Sequence, residues 1–130
     1  MRRCDLIVAG AGPAGTNAAL AAAAAGLDVV LVDEAASAGG QVWRAPAPGL
    51  PSRRDADARD GDALRAAVAT AAIEARFGAR IWSVTREEDG YRLDATGGPV
   101  LMAPRLIAAT GAVERVIPFP GWTLPGVFGL

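Results

Sequence analysis

The chain has 130 residues, a length that suits about one domain. Hydrophobic residues make up 52% and charged residues 21%, a balance that excludes general disorder. The net charge of −1, with 13 basic residues that are all arginine and no histidine, excludes a global field for nucleic acid and removes imidazole bases and metal ligands.

Asp5 to Ala9 is a short apolar run that predicts a buried strand. Gly10 to Gly15 follows as a glycine-rich turn. Pro13 to Ala25 is rich in alanine, and its lone β-branched residue is Thr16, so it predicts a helix that ends at Gly26. Asp28 to Val32 is a second continuous apolar run, of the kind buried on both faces in a parallel sheet. Strand, helix and strand within about thirty residues predict a βαβ unit. Leu6 to Leu27 carries no charge and follows Arg2 and Arg3, which mimics a signal peptide. Its glycines, Pro13 and Asn17 fit the nucleotide-binding template better, so no membrane segment is expected, and the location expected is the cytoplasm of a bacterium.

Ala35 to Asp60 reads as a loop, with Gly39, Gly40, Pro46, Pro48, Gly49 and Pro51 before a run of mixed charge from Arg53. Gly61 to Phe77 predicts a second helix capped by Asp62, with Leu64, Val68, Ala71, Ala72 and Ala75 on its apolar face. Arg80 to Arg86, Tyr91 to Thr96 and Pro99 to Met102 predict an antiparallel meander, at about 79–103, turned at Asp89-Gly90 and Gly97-Gly98. Arg105 to Ala109 is a last buried strand. The fold class predicted is α/β: a Rossmann-like dinucleotide-binding domain with a parallel sheet and an inserted antiparallel β-meander, one domain over 1–130. Ile117 to Leu130 is Pro-rich and apolar, with Phe119, Trp122, Leu124, Val127 and Phe128. Such a segment would face water in a finished domain, so the expectation is the front piece of a longer protein.

The chemistry sits in the turns. Gly10-Ala11-Gly12-Pro13-Ala14-Gly15 matches GxGxxG between a strand and a helix. Gly10 permits the tight turn, Gly12 lets a pyrophosphate approach the backbone, and Gly15 lets helix and strand pack. The helix start at Pro13 and Ala14 offers N–H groups and a positive dipole end to phosphates. Asp33 and Glu34 end the second strand about twenty residues later. A carboxylate there accepts from ribose hydroxyls and repels a 2′-phosphate, which disfavours NADP; the spacing leaves open which acid serves. Cys4 is the lone cysteine, so an intrachain disulfide and a CxxC pair are excluded and no metal site is expected.

Two further motifs carry a resemblance. Gly39-Gly40-Gln41 resembles the flavin-side loop of two-dinucleotide-binding-domain flavoproteins, especially the thioredoxin reductase-like branch. Ala108-Ala109-Thr110-Gly111 resembles their second FAD motif. "GGQVWR" (39–44) and "ATGAVERVIPFPGWTLPGVFGL" (109–130) are similar to the FAD-binding subunits of opine oxidases, hydrogen cyanide synthase and related amino-acid dehydrogenases. The resemblance implies FAD as cofactor. It implies that Gly40 and Gln41 lie along its pyrophosphate and ribityl part, and that Ala109, Thr110 and Gly111 close over it. Ser83 or Val84 would offer backbone to adenine, and Arg44 would neutralise a phosphate. Arg115 matches a family "ER" pair without a role. Trp43 and Trp82 read as core or rim aromatics.

The function implied is the FAD-binding part of an oxidoreductase that takes a hydride from an amine or amino acid, an opine-like small molecule, with other subunits of a hetero-oligomeric enzyme as candidate partners. No nucleic acid or membrane partner is expected, and no catalytic residue is identified. The alternatives are an NAD-dependent dehydrogenase domain, or a non-catalytic nucleotide-binding fragment, which the lack of an evident acid, base or nucleophile keeps open.

Overall fold

The computed structural model describes residues 1–46, 49, 55–113 and 117–127. Of the residues singled out above, Pro48, Pro51, Arg53, Arg115 and Phe128 lie outside these.

Among the described residues, ten elements follow in order: β1 (Arg2–Arg3), β2 (Leu6–Ala9), α1 (Pro13–Ala24), β3 (Val29–Val32), α2 (Ala56–Thr70), β4 (Ile73–Arg76), β5 (Ile81–Glu87), β6 (Gly90–Ala95), β7 (Leu101–Ala103) and β8 (Arg105–Ala108). They form two four-stranded sheets. One has the order β4-β3-β2-β8 and is parallel throughout; the other has the order β1-β7-β6-β5, with β1 parallel to β7 and the rest antiparallel.

Strand periodicity explains the layering. Every residue of β2 and β3 is buried, because successive side chains enter opposite layers. Leu6, Val8, Val29 and Leu31 pack with Ala19 of α1 and Val68 of α2. Ile7, Ala9, Val30 and Val32 pack with Leu93, Leu101 and Ala103 of the meander and with Cys4. The parallel sheet is thus sandwiched between a helical layer and the second sheet, which suits an α/β domain. Small residues permit the close approach: Ala11 and Ala19 are fully buried.

The N-terminal pair β1 joins the meander, which the sequence pattern did not indicate. Arg2 N donates to Val100 O and Cys4 N to Met102 O. The Arg2 guanidinium also reaches Asp28 at 2.6 Å and Glu74 at 2.8 Å, and Arg76 reaches the other Glu74 oxygen at 2.6 Å. These pairs tie the starts of β3 and β4 to the second sheet.

The second helix differs from its expected span. It begins at Ala56, inside the stretch expected to be loop. Asp55 caps it by accepting from Ala58 N at 2.9 Å, and the expected cap, Asp62, instead pairs with Arg65 within the helix at 2.7 Å. The helix stops at Thr70, and Ile73–Arg76 forms β4 against β3, in register Val29↔Ile73 to Val32↔Arg76. Alanine-rich sequence suits a helix, yet the open edge of β3 gains a full ladder from this segment, and that pairing decides the outcome. The remaining elements match their expected spans to within two residues; the first hairpin turns at Glu88-Asp89, with Gly90 already the first residue of β6, Gly97-Gly98 lies between β6 and β7, and β8, expected to be buried, is a mostly exposed edge strand. No described helix is long and apolar enough to cross a membrane.

Candidate dinucleotide site

The carboxyl ends of β2, β3, β4 and β8 lie side by side, the usual ligand edge of an open parallel sheet. Gly10 N donates to Val32 O at 2.8 Å and Ala109 N donates to Ala9 O at 2.7 Å, so the ends of β2, β3 and β8 converge on the glycine-rich turn. Gly10 has φ +104°, and a Cβ there would stand 2.3 Å from Ala109 O. A Cβ at Gly15 would stand 1.9 Å from Gly10 O. Both positions are closed to any side chain.

Gly12 is different. It caps α1 in an extended conformation, φ −68°, with Pro13 as the first helical residue, and the nearest atom to a Cβ there would be Gly40 Cα at 4.0 Å. Folding alone therefore does not require glycine at position 12. Without a Cβ, the backbone at the start of α1 is left bare on this side, the feature by which such turns admit a diphosphate. The first turn of α1 carries no acidic side chain, so the positive helix end faces it without an internal counter-charge.

The second loop closes on the same place. Gly39 N donates to Ala11 O at 2.9 Å, and Gly40 takes φ +57°, so close that a Cβ would stand 2.8 Å from Gly12 Cα. Gln41 and Arg44 are exposed beside it, with the Arg44 guanidinium donating to Gln41 Oε1. Thr110 and Gly111 follow directly after β8, past the Gly10 contact, with Gly111 exposed.

The two acids take separate roles. Asp33 Oδ2 accepts from Ala11 N and Oδ1 from Ala35 N at 2.7 Å, so its carboxylate is occupied in holding the loops. Glu34 is exposed, with Arg80 at 3.5 Å as a loose ion pair. Of the two, Glu34 is the more exposed.

Val84 is not brought to this edge. It lies within β5, paired with Leu93 at the margin of the other sheet, and Ser83 lies beside it opposite Asp94. The backbone that does flank the acids is Phe77–Ala79: Asp33 N donates to Arg76 O, Ala79 N to Asp33 O and Gly78 N to Ala35 O. Sequence reasoning missed it because β4 was read as helix; the β-branched Ile73 and the Phe77-Gly78 stop were the available signals. Trp43 is partly buried and Trp82 is exposed.

The fold and the glycine-lined edge define a Rossmann-type dinucleotide-binding domain. The chain belongs to the pyridine nucleotide-disulphide oxidoreductase family, whose sequence profile matches residues 4–130. It is 39% identical to an opine oxidase subunit of Agrobacterium tumefaciens (strain Ach5), over 95% of this chain and 27% of that protein. It is 33% identical to hydrogen cyanide synthase subunit HcnB of Pseudomonas aeruginosa, over 93% and 27%. A thioredoxin reductase from Gloeobacter violaceus superposes with a TM-score of 0.68 at 26% identity, over 93% of this chain and 41% of that one. The chain thus spans about a quarter of the length of the curated relatives it matches. The match over 4–130 covers the whole of the glycine-lined edge described above.

Proposed function

We propose that this chain holds FAD in an oxidoreductase that oxidises an amine or amino acid of the opine class. The carrying observation is the bare glycine backbone at Gly12, which opens α1 without an acidic side chain in its first turn and has the Gly39–Gly40 loop packed against it, together with the exposed carboxylate of Glu34. Gly12, Ala14 and Gly15 would bring backbone N–H groups to the diphosphate, since the first N–H groups of a helix have no intrahelical partner. Pro13, which has no N–H, pre-sets the first turn. Gly40 and Gln41 would border the pyrophosphate and ribityl part, and Arg44 would neutralise a phosphate. Glu34 would accept from the adenosine ribose hydroxyls, while Asp33 keeps the loops in place. Ala109, Thr110 and Gly111 would cover the cofactor from β8. The backbone at Gly78–Ala79, rather than Val84, would meet the adenine.

When bound, FAD supplies the acceptor for a hydride from the substrate carbon. The chain's residues bind and orient it, and no residue here needs to exchange electrons through sulfur. The substrate class rests on the similarity to the opine oxidase and cyanide synthase subunits. Because those relatives are subunits, assembly with other chains is part of the proposal.

The test is anaerobic mixing of the flavin-loaded protein, within its complete assembly, with amino acids and opines. Bleaching of the visible flavin band supports the reading. Bleaching by NAD(P)H alone, or the absence of any flavin band, overturns it.

A further inference from the structure

We propose that Arg65 is a positioning residue that sets the Gly39–Gly40–Gln41 loop against the glycine-rich turn; its consequence for FAD rests on the reading above. Arg65 lies in the middle of α2, and its side chain is only 19% exposed. One guanidinium nitrogen, Nη1, donates to Ala38 O at 3.1 Å and to Trp43 O at 2.8 Å; the other, Nη2, meets Asp62 at 2.7 Å. The two accepting carbonyls bracket Gly39 to Val42. A single cation thus closes the loop at both ends, with Trp43 N donating to Gly39 O at 3.0 Å across it.

The surroundings leave no slack. A Cβ at Gly39 would stand 2.1 Å from Trp43 O and 3.0 Å from Arg65 Nη1. Gly61, one turn before Arg65, would place a Cβ 2.9 Å from Trp43 Cβ. Glycine inside a helix is unfavourable relative to alanine, and at Gly61 it accompanies the close seating of the loop on α2. From the clamp, contact passes through Gly39 N to Ala11 O and through Gly40 to Gly12, both in the glycine-rich turn. Arg65 acts on Gly12 and Gly40 through the loop. An arginine fork is suited to the task, whereas a lysine ammonium is a compact point charge on a flexible stem.

The experiment uses the full chain with Arg65→Met and Arg65→Lys. Amide hydrogen exchange is followed without FAD, and FAD affinity is measured by fluorescence titration. Losing a charge-assisted pair of hydrogen bonds should speed exchange at Gly39 and Trp43 about tenfold in Arg65→Met and raise the FAD Kd about tenfold. The β3 amides of Val29–Val32 should keep their rates. Arg65→Lys should recover part of the protection. Unchanged exchange at Gly39 and Trp43 would overturn the proposal. So would an equal rise in β3, which marks general destabilisation, or an unaltered FAD Kd beside a loosened loop. Wild-type protein that binds no FAD would overturn the flavin reading, while the exchange measurement still decides whether Arg65 holds the loop.

Discussion

The Asp33 carboxylate accepts a hydrogen bond from the backbone N–H of Ala11, which joins the end of β3 to the centre of the glycine-rich turn. An acid placed where a ribose contact is expected thus bonds the protein's own backbone, and under the proposed function its exposed neighbour Glu34 meets the ribose.

This division predicts opposite phenotypes. Asp33→Ala strands the buried Ala11 amide and should cost about 1–3 kcal/mol of unfolding free energy. Glu34→Gln removes an exposed charge and should leave the denaturation midpoint nearly unchanged while weakening FAD binding several-fold. Urea unfolding and FAD titration of the two variants read both effects. Equal losses of affinity without loss of stability at Asp33 would contradict the assignment.

Glycines 10 and 12 should also separate. Gly10→Ala meets Ala109 O at 2.3 Å in a left-handed backbone conformation and should unfold the domain or lower its stability by several kcal/mol. Gly12→Ala finds ordinary space, so the apo protein should stay within about 1 kcal/mol of wild type. Its methyl group nonetheless enters the diphosphate space, and FAD affinity should fall by about tenfold or more, roughly the 1.4 kcal/mol that a factor of ten represents.

Acid should destabilise the fold through a defined set of carboxylates. The Arg2 guanidinium holds Asp28 below the usual carboxylate range. For Glu74, burial pushes the value up, but hydrogen bonds from Arg2 and Arg76 outweigh it and the net direction is down. Arg92 holds Asp94 down in the same way. A lowered native value means that the unfolded chain binds protons first as pH falls, so the contribution is full above about pH 5 and lost on descent through the lowered values. Arg2→Met should flatten this part of the pH–stability curve measured by chemical denaturation. Because Asp28 and Glu74 are partly exposed, added salt should shrink their share of the effect.

Cys4 packs against the meander with its thiol near Leu6 O at 3.6 Å, and burial pushes its ionisation up from the ordinary value. A buried thiol held neutral reacts poorly. A thiol reagent should therefore titrate Cys4 only on unfolding. Cys4→Ser should leave substrate-driven bleaching of the flavin intact. Loss of bleaching in that variant would reinstate sulfur chemistry.

The βαβ unit, the glycine-rich turn and the meander were legible from the sequence because each rests on local rules. Continuous apolar runs mark buried parallel strands, glycines mark the places where a Cβ cannot fit, and Asp-Gly and Gly-Gly mark the hairpins. What only the tertiary structure decided was non-local. Ile73–Arg76 became a strand because β3 offered an unpaired edge, and that placed Phe77–Ala79 beside the acids in place of Val84. Nothing local in the sequence marks Arg65; its bonds to Ala38 O and Trp43 O exist because α2 is seated on the Gly39 loop. The choice between Asp33 and Glu34 could not be made from spacing, since adjacent residues at a strand end point to different neighbours. It was the Ala11 amide, brought across from another loop, that claimed Asp33 and left Glu34 facing outward.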